Sequence, residues 1–184
     1  YRSVDTGMNG ETTLGRLGVN TFKGSVSGVA GSDARINING SDIEGYFRSA
    51  GEQYFVEPAT NYSPNATKGE FVVYKMEDAV AGDSFACSSK LDEKIQLGRE
   101  IASTGASSVS PALKRLEIAT EADAEYVSTL GGPTLANSEI LGILNVVEGL
   151  YTDQLVLDIR VVFQHTWSAP DPYTGANPEA LVRS

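Results

Sequence analysis

The chain has 184 residues, of which 41% are apolar and 21% are charged, a balance typical of a folded globular protein. Its 24 acidic and 14 basic side chains give a formal net charge of −10. This charge argues against a nucleic-acid-binding protein, because nothing supplies a basic face, and against an anionic membrane surface as partner. No stretch approaches the roughly 20 apolar residues that a membrane-spanning helix needs.

Cysteine usage and the chain ends give two further expectations. Cys87 is the single cysteine, so no intrachain disulfide forms and a small disulfide-stapled scaffold is excluded. The chain starts at Tyr1 with no signal-peptide pattern, and residues 180–184 are typical of the start of a helix. We therefore expect a piece of a longer chain.

The first part of the chain is rich in strand and turn patterns. Ile36 and Ile38 alternate with polar neighbours at a period of two, and Ala50 and Gly51 mark a turn between two apolar runs. Short strands with tight connections predict an antiparallel meander, with strands over residues 22–29, 34–39, 43–48, 53–57 and 71–74.

Residues 79–111 differ in composition from this strand-rich part. Leu91 and Ile95 could define a short helix, whereas residues 103–111 are small and polar, the composition of a linker. We therefore predict a β-rich domain over 1–102, a linker over 103–111 and a second domain over 112–184.

The second domain has a β-α-β pattern. A strand over 113–120 precedes a short helix or loop over 121–130, and a strand over 156–163 follows a long helix. Asn137 and Ser138 are candidate caps of that helix, whose apolar stripe is Ile140, Leu144, Val147, Tyr151 and Leu155. Two such strands are usually parallel neighbours, so the fold class is α+β. We expect the last strand to expose an unpaired edge that promotes self-association.

Motifs that carry chemistry are scarce. The chain has one histidine and one cysteine, and it lacks a His-Glu-x-x-His zinc motif, a Gly-x-Ser-x-Gly elbow and a phosphate-binding loop. His165 ends a predicted strand, where a structural or exposed role is expected. Glu117 and Asp123 form one of many carboxylate pairs expected by chance, and their spacing assigns them no role.

Several segments of the first part resemble the prosegment of reprolysin/ADAM-type zinc metallopeptidases, members of the metzincins. In that family an aromatic residue opens a G-x-V-x-G strand, and a later strand ends in Tyr-x-Ile-Glu-Pro. The matching segments here are FKGSVSGV at 22–29, IEGYFR at 43–48 and EQYFVEP at 52–58.

The second part is similar to the first β-α-β unit of the same family's catalytic domain. LEIATEAD at 116–123 matches the opening strand with its Glu and terminal Asp. ILGILNVV at 140–147, with Tyr151, matches the long helix. LDIRVVFQHTW at 157–167 matches the next strand and its Trp. The match runs from residue 22 to about residue 173, in the family's order.

The resemblance implies the first part of a secreted zinc endopeptidase precursor. Its prosegment would keep the protease latent and assist folding, and its partners would be the rest of its own catalytic domain and protein or peptide substrates. The family's zinc motif, His-Glu-x-x-His-x-x-Gly-x-x-His, would lie downstream, so the resemblance places no catalytic residue in this chain. The alternative is a non-catalytic extracellular binding, adhesion or inhibitory module with the same architecture.

Two residues match positions with known roles in the family. Cys87 lies where many members carry a cysteine switch, a thiolate that ligates the catalytic zinc, although Ser88 replaces the usual glycine. Alternatives for Cys87 are a buried small hydrophobe or a thiol whose partner lies outside the chain. Glu117 matches a glutamate that helps some members bind a structural calcium, and its alternative is a surface carboxylate.

Overall fold

The computed structural model describes residues 1–78 and 112–173. Within these ranges, residues 1–78 and 113–171 form one compact α+β unit, which confirms the predicted class. None of its helices is long and apolar enough to cross a membrane. In chain order the elements are β1 (Arg2–Gly7), β2 (Gly10–Thr13), β3 (Thr21–Gly24), β4 (Asp33–Asn39), β5 (Asp42–Ser49), β6 (Glu52–Pro58), β7 (Phe71–Lys75), β8 (Lys114–Ala122), α1 (Ala124–Leu130), α2 (Pro133–Leu155) and β9 (Leu157–Trp167), with short 3₁₀ turns at Ala59–Asn61 and Met76–Asp78.

The predicted meander is present as a five-stranded antiparallel sheet, in the order β3-β4-β5-β6-β7. Its central hairpin turns at Ala50 and Gly51, which both have positive φ angles, 54° and 84°. Two such residues form the type I′ turn that matches the twist of paired strands. The strands predicted over 34–39, 43–48, 53–57 and 71–74 are confirmed, whereas the one predicted over 22–29 ends at Gly24.

The predicted β-α-β unit lies in a second, mixed sheet with the order β2-β1-β9-β8. Strands β8 and β9 are parallel neighbours, as predicted. The expected unpaired edge of β9 is absent from Phe163 to Trp167, because β1 lies parallel to this part from Arg2↔Phe163 to Thr6↔Trp167. Within the described residues no strand pairs with residues 157–162 on that side of β9, so the predicted self-association stays a prediction.

The helix boundaries differ from those predicted. Asp123 caps α1, its Oδ1 accepting the backbone N–H of Tyr126 at 2.7 Å. Helix α2 begins at Pro133, a residue whose fixed φ angle suits the first helical position. Asn137 and Ser138 therefore lie inside α2, and their prediction as caps is wrong.

The buried face of α2 is polar and small rather than apolar. Tyr151 and Leu155, two members of the predicted stripe, are 40% and 55% exposed. The residues that are buried instead are Ala136, Asn137, Gly142, Asn145, Glu148 and Gly149. A Cβ atom on Gly149 would lie 2.1 Å from the Tyr46 hydroxyl, so the small residue permits the close approach of α2 to the antiparallel sheet.

Strand β4 presents a matching polar face to α2. Arg35 and Asn37 are 7% and 1% exposed, whereas Ile38 is 41% exposed. Asn145 donates from its Nδ2 to Asn37 Oδ1 at 3.0 Å, and this bond joins the helix to the sheet. The predicted period of two is correct, but the polar side chains of β4 are the buried ones.

The predicted short helix with Leu91 and Ile95 and the linker over 103–111 lie outside the described residues. The domain division at that linker therefore stays a prediction. In the described residues the chain segments on its two sides are in contact, since β1 pairs with β9 and α2 packs on β4.

Candidate functional site

The carboxyl ends of β1, β9 and β8 meet at one edge of the mixed sheet, because the three strands are parallel neighbours. In open α/β sheets this edge is where ligands bind. Side chains with hydroxyl, imidazole, indole and carboxylate groups converge there, namely Thr6 from β1, His165 and Trp167 from β9, and Glu121 from β8.

His165 connects the three strands through both ring nitrogens. Its Nε2 lies 2.9 Å from Thr6 Oγ1, and its Nδ1 lies 2.9 Å from Glu121 Oε1. The same carboxylate oxygen accepts the indole N–H of Trp167 at 2.6 Å. The His165 side chain is 17% exposed, so this hydrogen-bonded line is partly shielded from water.

In a hydroxyl, imidazole and carboxylate arranged in this order, the imidazole can take the proton of the hydroxyl while the carboxylate orients the ring and stabilises its charged form. Acyl transfer would also need N–H donors aimed at the developing oxyanion. The backbone N–H groups of Ser168 and Ala169, which lie beside Thr6, both donate to the Thr6 carbonyl oxygen, at 3.0 and 3.1 Å. Neither N–H group is therefore free to bind an oxyanion. We interpret the hydrogen bonds from His165 to Thr6 and Glu121 as structural contacts that hold the three strands together.

A second polar group holds β1 against β9. The Asp5 Oδ1 atom accepts hydrogen bonds from the Thr166 and Ser168 hydroxyls, both at 2.8 Å. Asn137 of α2 donates to the Ser3 hydroxyl at 2.9 Å. These buried contacts satisfy polar groups that would otherwise destabilise the fold, so their role is structural.

The predicted site residues have separate positions in the structure. Glu117 is exposed in the middle of β8 and faces Arg160 in the strand register. Within residues 1–78 and 112–173 no group of three His, Cys, Asp or Glu side chains could hold a metal ion, and the calcium role of Glu117 stays a prediction. Cys87 lies outside the described residues, and its role as a switch stays a prediction.

Some residues of the site could not be singled out from the sequence. Thr6 is an ordinary strand residue with no motif, and only the pairing of β1 with β9 brings it to His165. His165 itself stood out as the single histidine, and the structural role expected for it agrees with its contacts.

Beside α2, a cavity of about 240 Å³ carries a concentration of negative charge. Glu44 and Glu57 of the antiparallel sheet and Glu139 of α2 line it, with Phe55 and Ile143 as apolar walls. Burial raises the pKa of Glu44, and the neighbouring charge of Glu139 adds to this shift.

We predict that Glu44→Gln stabilises the protein at neutral pH. A raised folded-state pKa means that the folded protein binds this proton more tightly than the unfolded chain does. Stability therefore falls as the pH rises from the ordinary glutamate pKa through the raised one. The stabilisation by Glu44→Gln should vanish below about pH 4, where Glu44 of the wild type is protonated in both the folded and the unfolded protein.

Urea unfolding of Glu44→Gln and wild type at several pH values tests this. Glu117→Gln is the matched control, because it removes an exposed carboxylate from β8. Equal changes in the two variants, or a loss of stability in Glu44→Gln at neutral pH, would contradict the prediction.

No family model matches the chain, and no curated protein matches it either.

Proposed function

We propose that this chain is the N-terminal part of a secreted zinc endopeptidase precursor of the reprolysin/ADAM type. The observation that supports this most is the β8-α1-α2-β9 unit, in which two parallel strands are joined through a helix of 23 residues. The segments with family-like sequence coincide with its elements. LEIATEA lies in β8, ILGILNVV lies in α2, and LDIRVVFQHTW is β9.

The proposal requires zinc ligands outside the described residues. The family's zinc motif has three histidines, and this chain has His165 alone. Both of its ring nitrogens are within 2.9 Å of Thr6 and Glu121. The described residues therefore do not fit a zinc site, and the role proposed for them is to form the scaffold on which such a site depends.

The decisive experiment is to translate the reading frame past Ser184 and to express the complete protein. The proposal expects a downstream His-Glu-x-x-His-x-x-Gly-x-x-His motif, about one bound zinc per polypeptide, and hydrolysis of a protein substrate that a chelator abolishes. A stop codon, or an intact fold without the three histidines, would overturn it in favour of the extracellular binding module.

Cys87 provides a separate test of latency in the complete precursor. If its thiolate acts as the switch, Cys87→Ser should hydrolyse a denatured protein substrate without prior cleavage, while the unprocessed wild type should not. Ser88→Ala is the matched control at the adjacent position. Equal latency of Cys87→Ser and wild type would show that the cysteine has another role.

A further inference from the structure

A second cavity, of about 340 Å³, lies where β1 and β9 adjoin the chain that leaves β2. Three arginines line it, Arg2 from β1, Arg16 from the segment after β2 and Arg160 from β9. None of the residues that line it is acidic. A positively lined cavity is unexpected in a chain whose net charge is −10.

The ion pairs of the arginines single out this cavity. Among the six arginines in the described ranges, four form ion pairs with carboxylates, namely Arg2, Arg35, Arg48 and Arg115. Within the same ranges Arg16 and Arg160 have no ion pair, and both line this cavity. Arg2 is paired only at the exposed surface, with Glu11 at 3.1 Å.

Unpaired guanidinium groups at one cavity are suited to an oxyanion. Each presents a planar fork of N–H donors that matches the oxygens of a phosphate or sulfate group, and a cavity lined by one sign of charge concentrates the opposite sign. The hydroxyl-bearing residues Ser3 and Thr13 belong to the same lining.

The size and composition of the cavity indicate more than a bare ion. Its volume falls in the range of about 300–1,000 Å³ that small-molecule sites occupy. Tyr1 and Leu14 give it apolar surface beside the arginines. We infer that this cavity binds a small organic phosphate or sulfate ester, with the oxyanion on Arg16 and Arg160 and the organic group against Tyr1 and Leu14.

Isothermal titration calorimetry at fixed ionic strength tests this on the whole chain, with inorganic phosphate, inorganic sulfate and phenyl phosphate as probes. We expect saturable binding, with phenyl phosphate tighter than either inorganic ion. Arg16→Gln and Arg160→Gln should each weaken phenyl phosphate binding by about ten-fold, because each removes a charge-assisted contact. Both side chains are exposed, so the variants should fold, which circular dichroism verifies.

Lys68→Gln is the control, since it removes one positive charge from an exposed turn outside this cavity. It should leave all three affinities within about two-fold of wild type, because exposed charges beyond a Debye length are largely screened. Absence of saturable binding, or equal losses in Lys68→Gln and Arg160→Gln, would overturn the site. Equal affinity for phenyl phosphate and inorganic phosphate would overturn its assignment to an ester.

Discussion

Gly45→Ala is expected to lower the free energy of unfolding by about 2–5 kcal/mol, the sum of a backbone strain and a steric overlap. Gly45 lies in β5 between β4 and β6 and has a φ angle of 141°, which L side chains rarely adopt. A Cβ atom there would lie 2.0 Å from the carbonyl oxygen of Arg35. That oxygen belongs to the backbone of β4, so relief requires the two strands to separate.

Gly51→Ala separates the two contributions. Gly51 also has a positive φ angle, 84°, but nothing lies within 4 Å of a Cβ atom built on it. Its substitution should therefore introduce strain alone, about 1–2 kcal/mol. Urea unfolding followed by circular dichroism measures both variants against wild type. A loss in Gly45→Ala no larger than that in Gly51→Ala would show that β4 and β5 accommodate the methyl group.

The antiparallel sheet could be predicted because the sequence signals for each of its hairpins lie within one short segment of the chain. Each hairpin combines two short apolar runs with a turn signal, and Ala50-Gly51 and Asn39-Gly40 lie at its two central turns. The same holds for β8, α2 and β9, where a strand, a long helix and a strand predict parallel pairing. The pairing of β1 with β9 joins residues more than 150 positions apart, and no local pattern signals it.

The face that each element buries was harder to predict, because the rule that apolar residues face inward fails at the contact between β4 and α2. The alternation of apolar and polar residues in β4 shows that every second side chain lies on the same face, but it does not show which face is buried. Both β4 and α2 bury polar side chains at this contact. Two polar pairs join the elements there, Arg35 with Glu148 and Asn37 with Asn145. Such complementarity depends on two distant segments together, so neither sequence segment reveals it alone.

The candidate site was also hard to predict, because its residues come from segments that are distant in the sequence. His165 could be recognised as unusual because the chain has no other histidine, but its partners Thr6 and Glu121 come from two other strands. The arginine cavity also combines three distant segments, and Arg16 and Arg160 resemble ordinary surface residues in the sequence. The net charge of −10 gave no sign of a local basic cavity, because composition does not show where charges lie in the fold.

Arg35→Leu is expected to lower the free energy of unfolding by about 3 kcal/mol or more, because it removes one partner of a buried ion pair. The Arg35 Nε atom lies 3.3 Å from Glu148 Oε2, and its guanidinium also pairs with Asp33. The side chains of Arg35 and Glu148 are 9% and 6% exposed. Without Arg35, Glu148 keeps Lys23 at 2.8 Å, whereas Asp33 keeps, within the part of the chain that the structure describes, only the hydroxyl of Tyr46.

Two comparisons make this prediction specific to the buried pair. Arg115→Leu removes an arginine whose side chain is 56% exposed and which pairs with Asp158, so the expected loss is only about 0–1 kcal/mol. The double variant Arg35→Leu/Glu148→Leu replaces both members of the buried pair with apolar groups. It should lose less stability than the sum of the two single variants, because each single variant removes the Arg35–Glu148 attraction and the double variant removes it only once. Strict additivity, or a loss in Arg35→Leu equal to that in Arg115→Leu, would show that water reaches the contact between β4 and α2 and solvates these charges.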